Sequence, residues 1–165
     1  MNLQPIIECV PNFSEGRDME KIKMITDEIQ SVPSVKLLDV DPGKATNRTV
    51  VTFVGPPQAV LQAALLAIKK AAEVIDMTQH QGEHPRMGAS RPERKNLAYV
   101  RSGEYEGLQE KLSHPDGYPD YGKPEFNSKS GATAIGARDF LVAYNINLNT
   151  TSVRRANSIA FDVRE

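Results

Sequence analysis

The sequence has little cysteine, little excess charge of one sign and no long apolar run. Cys9 is the single cysteine, which excludes an internal disulfide framework and fits a reducing compartment. The formal net charge of -1 provides no global basic field for nucleic acid or an anionic membrane. The longest apolar-rich stretch, 59–75, is interrupted by charged and amide side chains. We therefore expect a cytoplasmic protein with neither nucleic-acid nor membrane partners.

The 165 residues are enough for one compact domain, and 39% hydrophobic with 25% charged residues is ordinary for a globular chain. Apolar periodicity in the first half predicts strand, helix, strand, strand, helix. These elements are expected at 5–10 (a buried strand containing Cys9), 18–32, 35–40, 48–54 and 56–75. This order opens a split βαβ arrangement, whose next element should be a strand beside the first.

That strand is missing from the pattern. The chain is polar and turn-rich after Ile75, with a short apolar run at 97–100 and a short helix expected at 104–112. Regularity returns as a strand at 140–148 and a helix at 152–163 with its apolar side inward. We predict an α+β fold: a ferredoxin-like (split βαβ) mixed sheet with helices on its outer face, lacking one strand–helix–strand segment.

His80-Gln81-Gly82-Glu83-His84 matches the H-x-x-E-H zinc pattern. That chemistry needs both histidines one helical turn apart on one face. Gly82 inside the motif and Pro85 directly after it both oppose a helix, and no third ligand is evident. The sequence therefore disfavours a metal site here.

His84 also lies in a stiff segment, between an acidic residue and a proline, with Arg86 two positions on. Histidine is suited to proton transfer in both directions near neutral pH. The alternative is a loop histidine whose ring is satisfied by backbone groups. Spacing alone leaves both interpretations open.

Asp39 and Asp41 flank Val40 at the end of the second predicted strand, and period-2 geometry places both on one face. At the strand exit, Asp41 could point into a cleft and orient a base. It could equally cap the turn ahead of Pro42. The pattern does not decide between these roles.

The loop 122–131 combines cationic, aromatic and amide side chains ahead of a glycine-rich turn that lacks the Lys-[Ser/Thr] of a phosphate loop. Such a loop could stack on an aromatic ring and neutralise carboxylates, or could simply be solvated. Its residues are Gly122, Lys123, Pro124, Glu125, Phe126, Asn127, Ser128, Lys129, Ser130 and Gly131.

Glu8-Cys9-Val10-Pro11-Asn12-Phe13-Ser14-Glu15-Gly16 resembles the opening signature of the formiminotransferase N-terminal subdomain. The resemblance continues in family order over nearly the whole chain. Its further segments are 37–41, 46–50, 52–55, 75–77, 82–89, 101–112, 131–136 and 144–148.

This resemblance implies transfer of a formimino group from N-formimino-L-glutamate to N5 of tetrahydrofolate in histidine degradation, with tetrahydrofolate as co-substrate and no metal. His84 matches the family's catalytic acid/base, Asp41 its assisting aspartate and 122–131 its folate-contacting loop. We assign Arg48 and Arg86 to the substrate carboxylates, because a guanidinium fork fits them.

The chain departs from the family pattern after Ala89. The family continues there into a strand, a helix and another strand, whereas Ser90 and Arg91 follow here. We therefore expect 1–165 to be the N-terminal subdomain, internally shortened after Ala89 and without the C-terminal subdomain. Two hypotheses stand: a catalytic domain, working as a homodimer or with a partner carrying the C-terminal subdomain, or a non-catalytic folate-binding or partner-interaction module.

Overall fold

The computed structural model describes residues 5–83, 102–137, 139 and 148–164. The chain divides into two compact units, Met1–Ile135 and Gly136–Glu165. The predicted apolar run at 97–100 and most of the predicted strand at 140–148 lie outside the described residues.

The first unit contains the strand, helix, strand, strand, helix order that the periodicity predicted. Its elements are β1 (Ile7–Cys9), β2 (Asn12–Phe13), α1 (Met19–Gln30), β3 (Lys36–Gly43), β4 (Arg48–Gly55), α2 (Pro57–Val74), α3 (Leu108–Lys111) and a 3₁₀ turn at Pro115–Gly117. Strand β3 is longer than predicted, because 41–43 continue the strand instead of forming a turn.

Helix α1 begins where Asp18 caps it. The Asp18 carboxylate accepts hydrogen bonds from the backbone N–H groups of Glu20 (3.1 Å) and Lys21 (3.2 Å), which would otherwise lack intrahelical partners. Its apolar face is buried as the helical spacing predicted, at Ile22, Ile25, Ile29 and the following Val32. Helix α2 begins with Pro57 in its first turn, where a missing N–H costs little.

Strand β4 is the centre of the sheet. It pairs with β1 and β2 along one edge and with β3 along the other, and all of these pairs are antiparallel. Strands β1 and β3 therefore run in the same direction with β4 between them, which is the split βαβ arrangement. The predicted α+β class is confirmed; the described pairs are antiparallel where a mixed sheet was expected.

Strands β1 and β2 are two parts of one strand beside β4. Cys9 lies opposite Phe53 and Asn12 opposite Val50, so the register is the same on both sides of the break. The interruption falls at Pro11, whose carbonyl accepts from the Val51 N–H at 3.0 Å. Proline has no N–H to return, and this breaks the ladder.

Strand β3 contains a β-bulge at Leu38. Leu37 lies opposite Phe53, but Asp39 lies opposite Thr52, so two residues of β3 face one residue of β4. With regular pairing Asp39 would fall opposite Val51, on the same face as Leu37. The bulge instead lets Leu37 and Val40 both pack against the core while Asp39 stays exposed.

The core lies between one face of β4 and the two helices, where Val51 and Phe53 are fully buried against residues such as Ile25, Ile29 and Ala63. Packing of an alternating strand face against two amphipathic helices explains this layer. The opposite face of the sheet, which we call the open face, carries half-exposed side chains of β4. These are Arg48, Val50, Thr52 and Val54.

The prediction that the first strand is buried was wrong. Ile6 is 66% exposed and Ile7 44% exposed. Among the described residues β1 pairs with β4 along one edge only, so an apolar run there does not imply burial on all sides. Cys9 is half-buried against the core, and this burial raises the pKa of its thiol.

The second unit contains α4 (Val153–Arg164), which matches the predicted helix at 152–163. The Ser152 hydroxyl accepts from the Arg155 N–H at 3.3 Å, as expected at a helix start. Its apolar side was predicted to face inward, but Val153 is 72% exposed and Val163 61% exposed. Periodicity identifies the helix and not what covers it. No helix in the described part of the chain is long and apolar enough to cross a membrane.

Candidate functional site

The open face brings together polar side chains from three strands. Asn12 and Asp41 both lie opposite Val50, so the three residues form one row across the sheet. Arg48 lies two positions from Val50 on the same face. Its Nη1 donates to Asn12 Oδ1 at 2.7 Å. Asp41 and Arg48, which were predicted separately, therefore occupy neighbouring rows of one surface.

Asp41 owes its place on the open face to the bulge at Leu38. With regular pairing it would lie opposite Thr49, on the face covered by the helices; in the structure it lies opposite Val50 and is exposed. It is a strand residue, so the alternative role as a turn cap ahead of Pro42 is wrong.

Three segments of the chain come into contact at the turn between β3 and β4: the turn itself, the chain around Gly16 and residues 80–83. Asn47 joins them through hydrogen bonds. The Asn47 side chain accepts from the Gly16 N–H through Oδ1 at 3.0 Å and donates from Nδ2 to the Gln81 carbonyl at 3.0 Å. The Asn47 carbonyl lies 2.8 Å from His80 Nε2. We call this set of hydrogen bonds the Asn47 bridge.

His80 is buried and is engaged by the Asn47 bridge. A backbone carbonyl only accepts, so Nε2 of His80 carries a proton and donates to it. Residues 80–83 are not helical, so the spacing that the zinc pattern needs is not formed over them. Within the described ranges there is no group of three or more His, Cys, Asp or Glu residues placed to hold a metal ion.

Two glycines allow backbones to approach this turn closely. A Cβ on Gly16 would overlap the Gly43 carbonyl and lie 2.6 Å from the Arg48 nitrogen. A Cβ on Gly82 would overlap the Thr46 carbonyl oxygen. The β3–β4 turn is therefore in close main-chain contact with two segments, the chain around Gly16 and residues 80–83.

The loop 122–131 is anchored at its C-terminal end. The Met77 N–H donates to the Lys129 carbonyl at 2.7 Å, and the Tyr105 hydroxyl donates to the Ser128 carbonyl at 2.5 Å. Asn127 Oδ1 closes the local turn by accepting from the N–H groups of Lys129 and Ser130, both at 3.0 Å. The backbone of this part of the loop is thus fixed.

The side chains of the loop are disposed differently from its backbone. Lys123 and Lys129 are exposed, as a charge-pairing role requires. Phe126 is half-buried, with its ring centroid 5.5 Å from that of Tyr105 at an interplanar angle of 54°. The pKa of nearby Asp76 is lowered, mainly by hydrogen bonds from Thr78 and to a smaller extent by the charge of Lys129.

The segment 75–83 links the two parts of the candidate site. It holds the loop 122–131 through Met77 and contacts the β3–β4 turn through residues 80–83. His84 and Arg86 follow this segment and lie outside the described residues. The sequence patterns gave Asn47 no role beyond its place in the family segment 46–50, although asparagine is one of the residues that adopt positive φ, which here is 47°.

These features define an antiparallel α+β domain with polar groups on the sheet face away from its helices and a separate, anchored cationic loop. The family model described as the formiminotransferase domain, N-terminal subdomain, matches residues 6–90 and 88–138. The chain belongs to this formiminotransferase family, which confirms the resemblance found in its motifs.

Curated relatives agree with this assignment. The formimidoyltransferase-cyclodeaminase of Dictyostelium discoideum is 41% identical over 206 residues, covering 99% of this chain and 38% of that protein. That of Gallus gallus is 42% identical over 203 residues, covering 97% and 37%. The glutamate formimidoyltransferase of Streptococcus pyogenes serotype M1 is 39% identical over 202 residues, covering 96% and 68%. The chain therefore spans less than two fifths of the first two relatives.

Proposed function

We propose that this chain acts in the transfer of a formimino group from N-formimino-L-glutamate to N5 of tetrahydrofolate, as a step of histidine degradation. The observation that carries this proposal is its match to the formiminotransferase N-terminal subdomain, at about 40% identity to relatives named for this transfer. The position of Asp41 and Arg48 on one open face supports it, because Asp41 matches the family's assisting aspartate and Arg48 is the residue that we assign to a substrate carboxylate.

In the proposed mechanism, His84 is the acid/base. A bond forms between N5 and the amidine carbon, and His84 accepts the proton that N5 loses. The tetrahedral adduct then collapses with cleavage of the bond between that carbon and the glutamate nitrogen. His84 returns its proton to this leaving nitrogen, so the ring ends as it began. Holding two substrates in one cleft supplies much of the acceleration, and no metal takes part.

The other residues bind and orient. Asp41 accepts a hydrogen bond from the His84 ring and favours its protonated form during the transfer. Arg48 and Arg86 pair with substrate carboxylates through their guanidinium forks. The loop 122–131 contacts tetrahydrofolate, with the exposed Lys123 and Lys129 near its carboxylates. The fixed backbone at 127–131 supports this assignment for Lys129, since that residue projects from an anchored turn.

An assay of the chain with N-formimino-L-glutamate and tetrahydrofolate tests the proposal. His84→Gln should lower kcat by about 10²–10⁴-fold with little change in tetrahydrofolate affinity, because general acid/base catalysis contributes on that order. His80→Gln is the matched control and should be nearly neutral. Equal losses from the two substitutions would argue against His84 as the proton-transfer residue.

A second candidate is a non-catalytic folate-binding or partner-interaction module. The alignments that favour it run over 202–206 residues although this chain has 165, and the family match divides into two pieces that meet at 88–90. Both support an internal shortening after Ala89. Tetrahydrofolate binding without turnover would favour this module. Turnover that appears only at concentrations where the chain dimerises, or on addition of a C-terminal subdomain, would favour an incomplete enzyme.

A further inference from the structure

Asn47 joins segments that are far apart in the sequence and is itself 7% exposed. Its side chain bonds the N–H of Gly16 and the carbonyl of Gln81, which are 31 and 34 positions away. Its carbonyl accepts a hydrogen bond from the ring Nε2–H of His80. The bonds to Gly16 and His80 are buried and the bond to Gln81 is partly buried, and buried hydrogen bonds are costly to leave unmade, so the bridge holds its partners in place.

The residue type at position 47 is strongly constrained. Its φ of 47° is a conformation that glycine and asparagine adopt more readily than other residues. Its two side-chain contacts need an acceptor and a donor at the same time. Asparagine offers both, glycine neither, and ionised aspartate only acceptors.

The position of the bridge connects it to the site. Asn47 directly precedes Arg48, the first residue of β4. It lies in the turn that joins β4 to β3, the strand that carries Asp41. Its contacts reach His80 and Gln81 of segment 80–83, and beside them the Glu83 N–H donates to the Ala45 carbonyl at 3.4 Å. His84 is the next residue of the sequence.

We propose that Asn47 is a positioning residue for the formimino transfer, an inference that rests on the proposed function. It touches no substrate. It sets the chain that leads into His84 at a defined distance from the strands that carry Asp41 and Arg48. Misplacement of a catalytic group by about 1 Å can cost on the order of 10²-fold in rate, so loss of the bridge should be visible in kcat.

Two substitutions separate the contacts of the bridge. Asn47→Gly keeps the backbone conformation and removes both side-chain bonds, whereas Asn47→Asp keeps the acceptor for Gly16 and loses the donor to Gln81. We expect both to lower kcat by about 10-fold or more. The KM for tetrahydrofolate should stay within about 2-fold of the unaltered chain, because the loop 122–131 is anchored by hydrogen bonds from Met77 and Tyr105 that the Asn47 side chain does not make.

Controls separate positioning from general damage. His80→Gln replaces one N–H donor by another and should leave kcat near that of the unaltered chain, whereas His80→Leu removes the donor and should lower it. Amide hydrogen exchange at Gly16 should be about 10-fold faster in N47G, because the Gly16 N–H loses its acceptor. It should not change in N47D, which keeps that acceptor. Far-UV circular dichroism should show that all variants are folded.

An unchanged kcat in folded N47G would overturn the proposal, and so would a fall in kcat matched by an equal rise in KM. If the unaltered chain shows no transferase activity, this result contradicts the proposed function and not the role of Asn47. The His84 ring resonance, observed by NMR at one fixed pH and assigned with H84Q, then decides on Asn47. A change in the chemical shift of this resonance in N47G and N47D but not in His80→Gln supports a positioning role for Asn47. An unchanged chemical shift in both Asn47 variants would contradict that role.

Discussion

Residues 5–83 and residues 102–135 of the first unit are held in place in different ways. In the first region, side chains such as Phe53 are fully buried and backbones meet at Gly16 and Gly82. The second region is mostly turns, and its loop is fixed by main-chain atoms that accept from Met77 and Tyr105. A core sets side-chain positions in the first region, whereas in the second the loop backbone is fixed near 127–131 and the side chains of Lys123 and Lys129 are exposed to a ligand.

The largest expected effect is on stability, and it is tested by making the same phenylalanine-to-alanine substitution in each region. Phe53→Ala should reduce the free energy of unfolding by about 3–5 kcal/mol, because a fully buried ring leaves a cavity that the sheet cannot close. Phe126→Ala should cost only about 1 kcal/mol, since its half-buried ring has one described aromatic neighbour, Tyr105. Urea unfolding measures both. Similar losses would show that the loop contributes to the core as fully as β4 does.

An intermediate effect is expected for ligand affinity in the second region. Lys129→Ala should weaken tetrahydrofolate binding by about 2–5-fold, because an exposed charge pair contributes up to about 1 kcal/mol, and should leave kcat unchanged. Lys69→Ala, at an exposed lysine of α2, serves as the control. Binding is measured by titration calorimetry at two salt concentrations, because screening should reduce the difference. Unaltered affinity after replacing both Lys123 and Lys129 would remove the loop's charge-pairing role.

The smallest effect lies at Asp76, in the part of the first region that contacts the second. Its pKa is held below the ordinary 3.8 chiefly by the Thr78 hydroxyl, so its carboxylate favours the folded state above about pH 4, and this contribution is lost as the pH falls through the lowered value. Thr78→Val should raise that pKa toward 3.8. The stability difference between the two chains should then shrink below about pH 4. NMR titration of the Asp76 carboxyl in Thr78→Val measures the direction of this pKa change. A pKa lower than that of the unaltered chain would contradict the prediction.

Much of the fold could be predicted because it is local. Helical spacing identified α1 and α2. The family motifs indicated Asp41, and the fit of a guanidinium to carboxylates indicated Arg48; their roles stay predictions. The Asn47 bridge could not be predicted, since its contacts join residues 31–34 positions apart and no local pattern encodes them. The bulge did leave a signal: Leu37 and Val40 are the inward residues, three apart where strict alternation requires two. The burial of β1 was misjudged because an apolar run does not reveal how many neighbours a strand has.

The bulge also determines which changes in chain length the sheet can accept. Deletion of Leu38, which is 50% exposed, would leave a regular strand with Leu37 and Val40 inward and Asp41 outward. Strand β4 has no such spare residue and is paired along both edges, so loss of Thr52 would exchange the two faces on one side of the gap. A homologue one residue shorter in β3 can therefore keep the same open face, whereas one shorter in β4 cannot.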